Sequence, residues 1–200
     1  LTIKSNVASE FIETLGAKLA KKPSFCMLHP NIQKGYATNK EKVSSQQAVA
    51  VVNEAEDSGK ANYAQAALVT VSGDVFLENE ALHQEVFGPF SMVVQCENEA
   101  QMITIIERLE GQLTGTIIAE KSDYAKLVAV FEALQERVGR VVFNGVPTGV
   151  EVCEAMTHGG PYPASTDSRF TAVGVGAIRR WVRPFTFQDA PDIFLPEILK

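Results

Sequence analysis

The chain has 200 residues, 46% of them hydrophobic and 21% charged, with a formal net charge of −6 at pH 7, which argues against a general electrostatic partnership with nucleic acid or anionic membrane surfaces. No apolar run reaches the length needed to cross a bilayer. The three cysteines, Cys26, Cys96 and Cys153, are too few and too scattered for a disulfide framework or a CxxC metal site, so a reducing, cytoplasmic compartment is expected.

From Val7 to Lys21, Phe11, Ile12, Leu15 and Leu19 recur at helical spacing, and Pro23 closes the run. The polar, alanine-rich stretch from Ile32 to Asp57 predicts one or two surface helices ending at Ser58-Gly59. Ala66 to Val71 is a strand by its β-branched content, and Ser91 to Cys96 and Leu113 to Ala119 are two further short apolar runs. Met102, Ile103, Ile106 and Leu109 form a helical pattern before Gly111. A second pattern runs from Tyr124 through Leu127, Val130, Phe131 and Leu134 to Val138, with Ser122 as its N-cap and Gly139 at its C′ position. Arg140 to Asn144 is a fourth strand. Strands alternating with helices predict an α/β sheet with at least one parallel crossover.

After Asn144 the character changes. Gly145 to Thr166 holds four glycines and three prolines without periodicity, and long irregular loops of this kind are usually functional. Ile178 to Phe187 then alternates apolar with polar residues, like a strand with one wet face.

The sequence Gly174-Val-Gly-Ala-Ile-Arg179 begins like a GxGxxG phosphate cradle, but no strand precedes it, and it reads as a structural turn. His29 and His83 read as surface groups, and the three histidines have no partners at metal-ligand spacing. Cys26 and Cys96 lie in apolar surroundings and are expected to be buried and inert. Cys153, in the long loop, is expected to be accessible, without a cationic neighbour to mark it as a nucleophile.

The most informative segment is Gln84-Glu-Val-Phe-Gly-Pro-Phe90. On its own, Gly88-Pro89 makes a turn into the following strand, with Phe87 packed and Glu85 solvated. The segment also resembles the E-[IV]-F-G-P motif of the aldehyde dehydrogenase superfamily. Leu113-Thr-Gly-Thr-Ile-Ile-Ala119 is similar to that family's L-x-[AG]-[ST]-[IV] strand, and Gly139-Arg-Val-Val-Phe-Asn144 to its G-x-V-x-[VF]-N strand. The later segments Phe143 to Val152, Met156-Thr-His-Gly-Gly-Pro-Tyr-Pro-Ala-Ser-Thr166 and Ile178-Arg-Arg-Trp-Val-Arg-Pro184 resemble the branch containing NADP-dependent fatty-aldehyde and 2,5-dioxovalerate (α-ketoglutaric semialdehyde) dehydrogenases.

The resemblance implies an aldehyde dehydrogenase catalytic-domain-like α/β sheet with flanking helices and a C-terminal β arm. Residues 1–166 would be the C-terminal part of the catalytic domain, and residues 167–200 an oligomerisation arm through which the protein forms a homo-oligomer. In the arm, Val182 and Phe185 would bury against the neighbour while Arg179 and Arg183 stay wet. The resemblance further implies that Glu85 binds the ribose hydroxyls of the nicotinamide half of NADP or NAD, for which a carboxylate is suited because it accepts two donors at once. Phe87 would support the nicotinamide ring. Pro147, Thr148, Gly149 and Val150 would line the aldehyde entrance, and His158 would sit near the nucleophile and take a proton from its thiol. Against that role stands a plainer one, in which His158 caps the turn before Gly159-Gly160.

The family's G-Q-x-C nucleophile, general-base glutamate and Rossmann-type cofactor domain have no match in this sequence; Gly111-Gln112 is followed by Leu-Thr. The chain is therefore expected to be a fragment of an enzyme that oxidises an aldehyde to a carboxylic acid, inactive alone, with the cysteine that forms the thiohemiacetal and thioester supplied from upstream. The alternative is a free-standing, non-catalytic homologue acting as an assembly module.

Overall fold

A computed structural model describes residues 1–3, 5–55, 58–149 and 151–200 of the chain. They fall into two compact units, Leu1–Leu109 with Glu120–Arg137, and Glu110–Ala119 with Val138–Lys200.

The first unit is built on a four-stranded sheet of β1 (Thr2–Ile3), β6 (Phe90–Cys96), β5 (Ala67–Ser72) and β3 (Ala50–Glu54), in that spatial order. Two short strands, β2 (Phe25–Cys26) and β4 (Tyr63–Ala64), pair separately. β6 runs parallel to both β1 and β5, while β3 is antiparallel to β5. Period-2 alternation sorts the side chains to two faces. On one face Leu68 and Val93 pack against Ile12, Leu15 and Leu19 of α1 (Asn6–Ala20). On the other, Val69, Val71, Val94 and Cys96 meet Val43 of α2 (Pro30–Ser44), Phe76 of α3 (Gly73–Glu78) and Ile105 of α4 (Glu99–Arg108). Leu68 and Ile105 have no exposed surface, and each such burial contributes about 1.5–3 kcal/mol. α5 (Val128–Gln135) packs on α4.

Local signals set most boundaries. The Ser5 hydroxyl caps α1 by accepting from the Ala8 amide at 3.1 Å, and the Asn98 side chain does the same for α4 through Gln101. Pro30 starts α2, where its missing N–H costs nothing.

In the second unit β7 (Gly115–Ile117) and β8 (Val141–Phe143) pair in parallel. Asn144 closes the pair with φ of +48°, a conformation asparagine tolerates better than most residues. Its side chain exchanges two 2.9 Å hydrogen bonds with the backbone of Ala119. Among the described residues, the chain beyond Asn144 is irregular up to a 3-10 segment at Val175–Arg180.

The α/β class and the parallel crossovers are as the sequence predicts. Several local readings need correction. The stretch Ile32 to Asp57 does not stay helical: after α2, Ala50–Glu54 forms an edge strand, because paired Val51 and Val52 favour the extended chain and β5 offers an open edge. Ser122 lies in a 3-10 turn, and the following helix starts six residues later without a side-chain cap. Ile178 to Phe187 is not a strand in the isolated chain, where no neighbouring edge accepts its hydrogen bonds among the described residues. Cys26 is exposed and only Cys96 of that pair is buried, because β2 is a two-residue surface strand. Burial pushes the Cys96 thiol up. Cys153 is exposed as expected. Gly174, with φ of +82°, is the turn into the 3-10 segment. Among the described residues, no helix is long and apolar enough to cross a membrane.

Candidate functional site

Gln84 to Pro89 forms a strap between α3 and β6 in the first unit. Its upstream end is fastened by a 3-10 turn at Glu80–His83, in which the Asn79 side chain accepts from the Ala81 amide at 3.1 Å and donates to Gln46 at 3.0 Å. Leu82 is buried in the core and Val86 packs against it. The residues between and beyond them, Glu85 and Phe87, therefore point away from the core. Glu85 is exposed and Phe87 is 62% exposed, so Phe87 is not a packing residue here.

His83 is not the surface group the sequence suggests. Its ring stacks on Phe76 with centroids 4.4 Å apart, and Nε2 lies 2.7 Å from the Phe76 carbonyl oxygen. A carbonyl only accepts, so Nε2 carries the proton and donates. This pins the strap to α3. His29 is exposed, and its Nδ1 accepts from the Asn31 amide as the N-cap of α2.

The downstream end is held by Tyr36, a nearly fully buried residue of α2. Its hydroxyl donates to the Gln65 carbonyl at 2.6 Å and approaches the Pro89 carbonyl at 3.3 Å. Burial, and secondarily the Glu54 carboxylate, push the phenol up to about 12. The Pro89 oxygen also accepts from the Ala67 amide at 3.0 Å, which joins the strap to the first residue of β5. Nothing in the sequence marks Tyr36 except that it is the lone aromatic residue in a polar helix.

Pro147, Thr148, Gly149 and His158 lie in the second unit, and Val150 lies outside the described residues. Pro147, Thr148 and Gly149 are all exposed. Their loop is tied to β8 by Arg140, whose guanidinium donates to the Pro147 carbonyl at 3.1 Å and touches the Met156 sulfur at 3.8 Å. Sequence reasoning missed Arg140; the available signal is a charged residue at the mouth of an apolar strand.

His158 is half-buried and fixed through its backbone. The Thr171 hydroxyl accepts its N–H at 2.9 Å, and its carbonyl accepts from Ala172 at 2.8 Å. Gly159 and Gly160, which follow it, are buried and run against Gln112 and Gly139 so closely that a Cβ at Gly139 or Gly160 would strike backbone. Close approach is what paired glycines permit.

The family model for the aldehyde dehydrogenase family matches residues 1–170. The chain belongs to the aldehyde dehydrogenase family. It is similar to an alpha-ketoglutaric semialdehyde dehydrogenase of Acinetobacter baylyi, 38% identical over 199 residues, covering 99% of this chain and 38% of the relative. A second relative, alpha-ketoglutaric semialdehyde dehydrogenase 2 of Azospirillum brasilense, is 40% identical over 189 residues, covering 94% of this chain and 36% of that protein. The chain thus spans less than two fifths of the length of either relative. In fold it is similar to the crystal structure of the delta-pyrroline-5-carboxylate dehydrogenase from Mycobacterium tuberculosis, with a TM-score of 0.71 at 17% identity over 98% of this chain and 39% of that one.

Proposed function

We propose that this chain is the C-terminal part of a cytoplasmic, NAD(P)-dependent aldehyde dehydrogenase that oxidises a semialdehyde to a carboxylic acid. Residues 1–166 complete its catalytic domain, and residues 167–200 form its oligomerisation arm. The observation that carries the reading is the strap, in which Glu85 and Phe87 stand exposed on a segment fixed at both ends. A carboxylate offers acceptors only, which fits ribose hydroxyls, and a bare phenyl face fits a nicotinamide ring. NADP or NAD, when bound, accepts the hydride.

The residues of this chain supply positioning. Glu85 orients the ribose, Phe87 backs the ring, and Pro147, Thr148 and Gly149 border the aldehyde entrance. His158 stands near the nucleophile, where it takes up the thiol proton. The cysteine itself comes from a segment preceding this chain, as does the general-base glutamate. The names of the two curated relatives support α-ketoglutaric semialdehyde as the substrate.

The test is reduction of NADP followed at 340 nm with that semialdehyde. The chain alone is expected to give none, and the enzyme carrying it behind a G-Q-x-C segment is expected to turn over. Turnover by the chain alone, or none by the assembled enzyme, overturns the reading.

The arm is supported by the run of exposed apolar side chains Val175, Ile178, Trp181, Val182 and Phe185, an arrangement that commonly marks an unformed interface. A strand added to a neighbour's sheet would satisfy their backbone groups. Removing everything after Val175 from the assembled enzyme is expected to reduce its mass in light scattering to that of a smaller species. An unchanged oligomer refutes the arm.

A further inference from the structure

We propose that Tyr36 is a positioning residue for the cofactor, seating the Glu85–Phe87 strap through its ring against Gly88 and its hydroxyl between the carbonyls of Gln65 and Pro89. The inference rests on the reading of Glu85 and Phe87 as cofactor contacts.

Three observations converge on it. First, the Tyr36 ring occupies the space that a Cβ on Gly88 would take. That is a physical reason for glycine in the middle of the strap: any side chain there would displace the ring or lift the segment carrying Phe87. Second, the phenol has one proton, and its 2.6 Å bond to Gln65 is the stronger arm, with the 3.3 Å contact to Pro89 the weaker arm of a three-centre bond. The two carbonyls precede β5 and β6 by one residue or two, so a single hydroxyl gathers the entry points of two neighbouring parallel strands. Third, Tyr36 is only 2% exposed and, with Val43, is one of the two buried residues of α2. The neighbouring Lys40 pairs with Glu54 and lies 5.8 Å from the ring centroid, which closes the solvent side. Lost seating leaves Glu85 and Phe87 attached but wandering, and catalytic geometry tolerates little of that.

The test compares Tyr36→Phe with Val43→Ala in the assembled enzyme. Val43 is a buried core residue of the same helix, so its truncation loosens α2 without removing the hydroxyl. Tyr36→Phe is expected to raise the cofactor KM about fivefold, the change that corresponds to one lost neutral hydrogen bond, with the aldehyde KM unmoved. Val43→Ala is expected to lower thermal stability more and to raise the cofactor KM less. Hydrogen exchange in the assembled enzyme gives a second readout independent of turnover: the Ala67 amide, bonded to Pro89, exchanges faster in Tyr36→Phe than in Val43→Ala. An unchanged cofactor KM, equal KM shifts in the two variants, or unchanged Ala67 exchange each overturns the proposal. Glu85→Gln run alongside separates the two levels. If it too leaves cofactor binding and hydride transfer unmoved, the cofactor reading of the strap has failed; if it weakens them while Tyr36→Phe does not, only the role of Tyr36 has.

Discussion

Replacing Glu85 with glutamine in the assembled enzyme is expected to slow hydride transfer about ten- to a hundredfold, the factor that corresponds to the roughly 1.5–3 kcal/mol carried by hydrogen bonds to a charged group. The aldehyde KM and the thermal midpoint are expected to hold. The asymmetry follows from where the side chain stands. Glu85 is exposed and belongs to neither core cluster, and surface substitutions away from caps and networks usually change stability by less than about 0.5 kcal/mol. Its neighbours hold the strap without it: Leu82 and Val86 in the core, His83 on Phe76, and Pro89 on Ala67. Glutamine keeps the shape and one acceptor oxygen but loses the charge and the second acceptor, so the loss appears where two hydroxyls must be held at once. Single-turnover kinetics with deuterated aldehyde measures the step directly. An unchanged rate in a folded variant ends the claim that Glu85 tethers the cofactor.

The same strap shows how far the sequence alone reaches. Glu85 and Phe87 were legible from a five-residue motif and from nothing in periodicity, because a segment with two outward and two inward residues is too short to carry a period. The buried elements were legible by pattern: α1, β5, β6 and α4 each present enough apolar residues to one face that the repeat survives. β3 was not. It is an edge strand with Val51 half exposed and an irregular register near Val52, so its alternation is broken where the reader needs it. The tail failed for a different reason, since strand structure needs a partner edge and alternation alone does not supply one. Tyr36, His83 and Arg140 were missed as fastenings because their partners are backbone carbonyls at positions the sequence does not announce.

Gly139 makes the last of these points testable. By sequence it reads as the C′ glycine that ends a helix. In the structure α5 stops at Gln135, with Glu136 as its C-cap, and Gly139 does something else. Its amide donates to the Gln112 carbonyl at 3.1 Å, and its α-carbon lies so close to the Gly159 carbonyl that a methyl group there would overlap backbone. Backbone cannot swing aside as a side-chain tip can, so Gly139→Ala must part the two segments. The expected cost is the upper end of the usual 1–3 kcal/mol for overpacking, which lowers the thermal midpoint by about 2–4 °C per kcal/mol in a chain of this size. The segment pushed away carries His158 and leads back to the loop of Pro147, Thr148 and Gly149, so limited proteolysis should cut between Gly145 and Thr166 sooner than in the parent. Gly35→Ala is the matched control. Gly35 lies within α2, and apart from its chain neighbours and its own helix backbone no atom lies within 4 Å of where its Cβ would go, so alanine there is expected to stabilise by about 0.5–1 kcal/mol. The two glycine substitutions should therefore move the midpoint in opposite directions. If Gly139→Ala instead behaves like Gly35→Ala, the close approach of the paired glycines is not what holds the His158 segment in place.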